Sequence, residues 1–155
     1  MLSAIPISVA WAAEGTYATL HASEPPIAAG QGRIYLYREG GLMGAAIQPT
    51  IMINGESSGG RAKPGDYFYV DRPAGTYVIG TSTEKEESTS VTVTAGQPVY
   101  VKFEISMGLF AGHVSPSVVD PQKAADEIKD CDWHEPKPVN ATGAPATAEA
   151  PKSPQ

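Results

Sequence analysis

Apolar and polar positions alternate strictly along residues 99–105: Val99, Val101, Phe103 and Ile105 point one way, Tyr100, Lys102 and Glu104 the other. That is the period of a strand lying against a core on one face. The same period runs through residues 33–38, where Ile34 and Leu36 oppose Tyr35 and Tyr37, and through 47–54, where Ile47, Ile51 and Ile53 share a face. Val91 and Val93 alternate with threonines and serines in 88–94, and the stretches 66–71 and 76–81 are rich in β-formers. A last strand is predicted over 114–119, interrupted by Pro116. By the same alternation Lys102 is expected on the solvent side of its strand.

Turn residues fall between these runs. Asn54-Gly55 suits a two-residue hairpin, since both positions accept positive φ. Lys63-Pro64-Gly65-Asp66, Arg72-Pro73-Ala74-Gly75 and Ala95-Gly96-Gln97-Pro98 are further turns, and Ser57-Ser58-Gly59-Gly60 reads as a flexible turn or bulge. Short strands with a turn every few residues predict an all-β antiparallel sandwich of seven or eight strands. One short C-terminal helix is expected. Asp120 is its N-cap, Pro121 its first residue, and Ala124, Ala125 and Ile128 form a narrow apolar stripe that would lie across an edge or end of the sandwich.

The two ends differ from the middle. Residues 2–12 are a short apolar run closed by Ala10-Trp11-Ala12, which fits a signal-peptide remnant cleaved before Ala13. Residues 13–29 form an N-terminal arm, 30–134 the folded domain, and 135–155 a Pro/Ala-rich tail too poor in apolar surface to offset its ordering entropy. An export signal implies a periplasmic or secreted protein. The net charge of −6 without a Lys/Arg cluster argues against a nucleic-acid partner. No run is long enough to span a bilayer.

Candidate chemistry is sparse. His21, His113 and His134 have no ligand spacing, so no metal site and no cofactor is read, and no residue is assigned a catalytic role. The single cysteine, Cys131, is expected to be structural rather than a nucleophile with His134 as base. Glu84, Glu86 and Glu87 fit a solvated hairpin tip. Two features carry candidate binding. Tyr35, Tyr37, Tyr67, Tyr69 and Tyr100 share the face opposite the aliphatic one; they either stack on a glycan or an envelope protein, or cover a second core. The apolar loop at 107–112, with Leu109 and Phe110, is either a core plug or an exposed partner contact.

Gly32-Arg33-Ile34-Tyr35-Leu36-Tyr37-Arg38, the Pro-Thr-Ile-Met-Ile-Asn-Gly run at 49–55 and Lys63-Pro64-Gly65-Asp66-Tyr67-Phe68-Tyr69-Val70 occur in a distinctive order. With Pro73-Ala74-Gly75-Thr76-Tyr77, Ala95-Gly96-Gln97 and Gly108-Leu109-Phe110 they resemble the DUF2846 proteins of bacteria over about residues 30–131. That resemblance implies an often exported, sometimes lipid-anchored domain without family catalytic residues; this sequence lacks the lipobox cysteine of anchored members. The Pro-x-Gly-x-Tyr turn is similar to those of PEGA-type and carboxypeptidase-regulatory-like modules, and the fold expected is Ig-like or prealbumin-like. The resulting expectation is a non-catalytic envelope module that binds or scaffolds. The alternatives are a small envelope enzyme or enzyme inhibitor with loop-borne residues, and a ligand carrier with an open apolar barrel.

Overall fold

The computed structural model describes residues 14–83, 87–107 and 112–138. The chain is mostly β. Nine strands occur among the described residues: β1 (Gln31–Tyr37), β2 (Thr50–Ile53), β3 (Glu56–Arg61), β4 (Asp66–Pro73), β5 (Gly75–Thr81), β6 (Thr89–Val93), β7 (Pro98–Met107), β8 (Gly112–Val119) and the two-residue β9 (Asp132–Trp133). They form a five-stranded sheet ordered β8-β7-β1-β4-β9 and a four-stranded sheet ordered β3-β2-β5-β6. A core of Ile34, Leu36, Ile51, Ile53, Phe68, Ile79, Val91, Val101 and Phe103, with others, lies between the sheets. The inner face read from alternation is the inner face observed.

The expectation of wholly antiparallel pairing is corrected. β1 runs antiparallel to β4 but parallel to β7, and β9 runs parallel to β4. The reason lies in the turns. Residues 62–65 carry the chain from the four-stranded to the five-stranded sheet, Ala74 carries it back, and residues 94–97 return it again. Most of the Pro/Gly turns are therefore corners between sheets rather than hairpins. A strand that returns to its own sheet after such a crossover can enter parallel to its neighbour.

The corners are tied by specific bonds. Tyr77 Oη donates to the Pro73 carbonyl at 2.6 Å, which closes the Pro-x-Gly-x-Tyr turn on itself. At the next corner Gly96 N–H donates to Gln31 O (2.7 Å) and Arg33 N–H to Gln97 O (3.1 Å), docking the corner on β1. Asn54-Gly55 is the hairpin predicted, with φ of 51° and 79°, joining β2 to β3.

β3 occupies the glycine-rich stretch expected to be a turn or bulge. It is a strand carrying a bulge: pairing shifts between Thr50↔Arg61 and Met52↔Ser57. Gly60 is fixed by close approach, because a Cβ there would lie 2.3 Å from Cε1 and Cζ of the buried Phe68 ring. Gly60→Ala is expected to cost about 2–3 kcal/mol by overpacking, measured as a fall in urea midpoint. An unchanged midpoint would place Phe68 elsewhere.

The outer face of the five-stranded sheet is covered. Helix α2 (Pro121–Ile128) begins as predicted, with Asp120 Oδ1 accepting from Gln122 N–H at 2.9 Å and Pro121 in the first turn. It packs on the face of the sheet, not on an edge or end, burying Ala124 and Ile128 but leaving Ala125 exposed. A second helical piece was not anticipated: the single turn α1 (Tyr17–Leu20), continued by a 3₁₀ turn (His21–Ser23). This arm is joined to the chain after α2 by Tyr17 N–H to Cys131 O (2.9 Å), Ala18 N–H to Lys129 O (3.1 Å) and Trp133 N–H to Gly15 O (2.8 Å). The proposed signal remnant, the cleavage site, residues 84–86, Leu109, Phe110 and the tail from residue 139 lie outside the described residues. Residues 135–138 of the expected tail are described, and Lys137 N–H donates to Gly59 O at 2.8 Å.

Candidate functional site

The tyrosines proposed as a partner-binding face lie inside. Tyr35, Tyr37 and Tyr67 are at most 2 % exposed, and with Tyr17, Tyr100, Val119, Ala124, Ile128 and Cys131 they make a second core beneath α1 and α2. Tyr35 stacks on Tyr100 at 4.9 Å, and Tyr17 meets Tyr35 and Tyr67 edge-on. Tyr69 is half-buried against Trp133, with the Arg33 guanidinium 4.1 Å over its ring. The assignment of these rings to a partner is therefore corrected for Tyr35, Tyr37 and Tyr67, which have no accessible face to offer. The physical reason is that the arm and α2, not solvent, sit over the sheet.

The hydroxyls of Tyr17, Tyr35, Tyr37 and Tyr100 are engaged in a polar layer, whereas Tyr67 Oη is buried with no hydrogen-bond partner among the described residues. Tyr35 Oη donates to Glu24 Oε2, which also lies 3.2 Å from His21 Nδ1 and 3.6 Å from Arg33. Arg33 makes two bonds to Asp71, at 2.7 and 2.9 Å. Tyr17 and Tyr100 share a hydroxyl–hydroxyl bond of 3.0 Å, and Tyr37 Oη donates to Glu127 Oε2 at 2.7 Å. Burial first, and then the neighbouring carboxylate, pushes the Tyr35 and Tyr37 phenols well above their usual range. They act as hydrogen-bond donors and do not ionise near neutral pH.

Next to this layer, at the end of β1, the chain makes a loop from residue 39 to 49 that is pinned from within. The buried Arg38 guanidinium donates to the carbonyls of Ile47 (2.5 Å), Ala62 (2.9 Å) and Gly44 (3.0 Å). Desolvation draws Arg38 below the usual arginine range. Lys102 is also buried, against the expectation of a solvent-facing side chain, because its strand face is the tyrosine face. Its Nζ lies 2.8 Å from Glu39, 3.0 Å from Glu104 and 3.1 Å from Glu127. Burial alone would lower the lysine, but the three carboxylates outweigh it and hold the ammonium above its ordinary range. Burial raises Glu127 in turn, and Tyr37 and Lys102 more than reverse this. Lys102 is a fixed cation, unsuited to nucleophilic work.

These groups border a cavity of about 440 Å³ whose wall includes Arg38, Glu39, Met43, Lys102, Glu104 and Ser115. At its rim Leu42 is 96 % exposed and Met43 62 %. The end of β7 joins them. Ile47, Ile105 and Met107 converge on Gly112, where a Cβ would lie 2.6, 3.2 and 3.2 Å from their side chains, and Met107 is 60 % exposed. Met107 and Gly112 are the described residues of the apolar 107–112 stretch singled out in the sequence, whose Leu109 and Phe110 are not among the described residues. The sequence signal missed here was Leu42-Met43 between glycines, an apolar pair with no strand to bury it.

The remaining candidates stay apart. His21 and His134 pair separately with Glu24 and Asp66, and among the described residues no three His, Cys, Asp or Glu side chains gather as a metal site. Cys131 is buried and its Sγ donates to Arg38 O at 3.7 Å. Burial, with several nearby carboxylates, pushes its thiol up to about 12, so almost none is thiolate at neutral pH. Native protein is expected to resist iodoacetamide and to react once unfolded; rapid native alkylation would contradict the burial.

Among the described residues no helix is long and apolar enough to cross a membrane. The family model described as "Protein of unknown function (DUF2846)" matches residues 28–116. That span holds the residues that line the cavity and leaves out α1 and α2. No curated protein and no solved structure matches the chain.

Proposed function

Because the chain belongs to the DUF2846 family, of unknown function, we propose that it is a non-catalytic binding or structural module of the bacterial envelope, periplasmic or secreted, built on an Ig-like or prealbumin-like sandwich. One observation carries the reading. Buried Arg33, Lys102 and Glu127 are paired with neighbouring charges and Arg38 with backbone carbonyls, whereas Leu42, Met43 and Met107 leave apolar side chains exposed. Met43 shares the cavity wall with Glu39 and Glu104, which are about half exposed, Leu42 and Met107 are also exposed, and Arg38 and Lys102 are buried. Such a rim suits a protein partner with an apolar patch bordered by cationic side chains. A glycan is less well served, since the rings that would stack on sugars lie under the arm and α2.

Complementation of a deletion strain tests this, with folding checked by circular dichroism. Leu42→Ser with Met43→Ser is expected to fail while folded, because a few anchors dominate an interface. Cys131→Ser and His113→Ala are expected to complement. If a folded cysteine or histidine variant fails while the loop variant succeeds, the module reading gives way to a small envelope enzyme.

A further inference from the structure

We propose that a groove between β3 and the segment following β9 binds the phosphate group of a small molecule. The groove exists because the chain after β9 bridges the two sheets. His134 N–H donates to Tyr67 O of β4 at 2.9 Å, and Lys137 N–H donates to Gly59 O of β3 at 2.8 Å. The space between this strap and the sheet is about 500 Å³.

Its charge is opposite to that of the chain. Arg61, His134 and Lys137 line it with the hydroxyls of Thr50 and Ser57, and no carboxylate lines it, in a protein of net charge −6. Arg61 and Lys137 are exposed and form no ion pair among the described residues. Elsewhere Arg33, Lys63, Lys102 and Lys123 each lie beside a carboxylate. Two cations lining one groove, with no ion-pair partner among the described residues, give it a positive potential that attracts an anion.

The donor geometry favours a tetrahedral oxyanion. A guanidinium offers paired N–H groups and an ammonium a point charge, and the two together match phosphate oxygens. Ser57 Oγ accepts from Gly59 N–H at 3.1 Å, which leaves its own hydrogen for another acceptor. His134 adds an exposed imidazole to the lining, with Asp66 Oδ2 3.3 Å from its Nδ1. The volume exceeds that of a bare anion and fits a phosphate ester. The site is independent of the loop-end surface.

Full-length protein is titrated with inorganic phosphate, glucose 6-phosphate and glucose at constant ionic strength, and backbone amide shifts are followed by NMR. Shifts are expected at residues 57–61 and 134–137 with both phosphates and none with glucose. Arg61→Gln and Lys137→Gln are each expected to weaken binding roughly tenfold or more, while Lys129→Gln, an exposed cation on another part of the surface, leaves it unchanged. Tighter binding of the ester than of the free ion identifies an ester as the ligand source, and the reverse identifies free phosphate. Shifts spread over unrelated cations, or affinity equal in the Arg61, Lys137 and Lys129 variants, overturn the proposal. Since Arg61 and Lys137 are on different segments, misfolding of one variant leaves the other to decide.

Discussion

Replacing Phe103 by alanine is expected to cost about 3–5 kcal/mol. Phe103 is 1 % exposed and lies between the sheets with Val101, Val114 and Phe68 in the same core. It sits on β7, where its backbone pairs with Pro116 of β8. Proline cannot donate to the ladder, so side-chain packing carries more of the strand pairing there. The loss combines the transfer energy of a ring with a cavity bounded by two rigid sheets, neither of which collapses easily onto it. Chemical denaturation with an unchanged slope measures it; a shift below about 1 kcal/mol would show that the ring does not fill the core.

Lys102→Ala, one residue away and on the opposite face, is expected to cost about 2–3 kcal/mol. Removing one partner of a buried pair leaves the other charge unpaired, which costs more than the pair itself contributes. Glu39 and Glu104 are about half exposed and rehydrate, so the penalty falls on Glu127, whose side chain is 13 % exposed and keeps only Tyr37 and the more distant Lys123. The double variant Lys102→Met with Glu127→Gln is therefore expected to regain more than half of the loss, because it removes both charges. A change within about 0.5 kcal/mol for Lys102→Ala, the size usual for a surface substitution, would mean that α2 does not close over this lysine.

These two residues mark what was legible in the sequence. Alternation separates the two faces of a strand, so Phe103, Ile34, Leu36 and Ile51 were placed inward correctly. Alternation is silent on whether the opposite face meets water or another layer. Five tyrosines on one face are the available sign of a second core; what covers them comes from α2, remote in sequence from β1 and β4, and from α1, a single turn too short to show a period. A second core is one of the two readings the tyrosines allow, but Lys102 alternates onto the same face and reads as solvent-facing unless that layer is known. Strand direction was hidden for a different reason. Residues such as Pro73-Ala74-Gly75 set local dihedral angles but do not say whether the next strand stays in the same sheet. Leu42 and Met43 were missed because a loop pinned by Arg38 through backbone carbonyls leaves no periodicity to detect.

The repeated change of sheet has a consequence for how the chain acquires its structure during synthesis. β1 is the central strand of its sheet, yet its neighbours β4 and β7 arrive only with residues 66–73 and 98–107. Loops must therefore close over long separations before either edge of β1 is satisfied. Assembly from non-local pairings of this kind is slow relative to local hairpins and helices. An emerging chain carries Ile34, Leu36 and two open edges of β1 until β4 has appeared and one until β7 has, and a product ending before residue 98 has no complete five-stranded sheet to form. Holding the nascent chain extended until residue 107 is clear protects it from strand-to-strand association with its own copies.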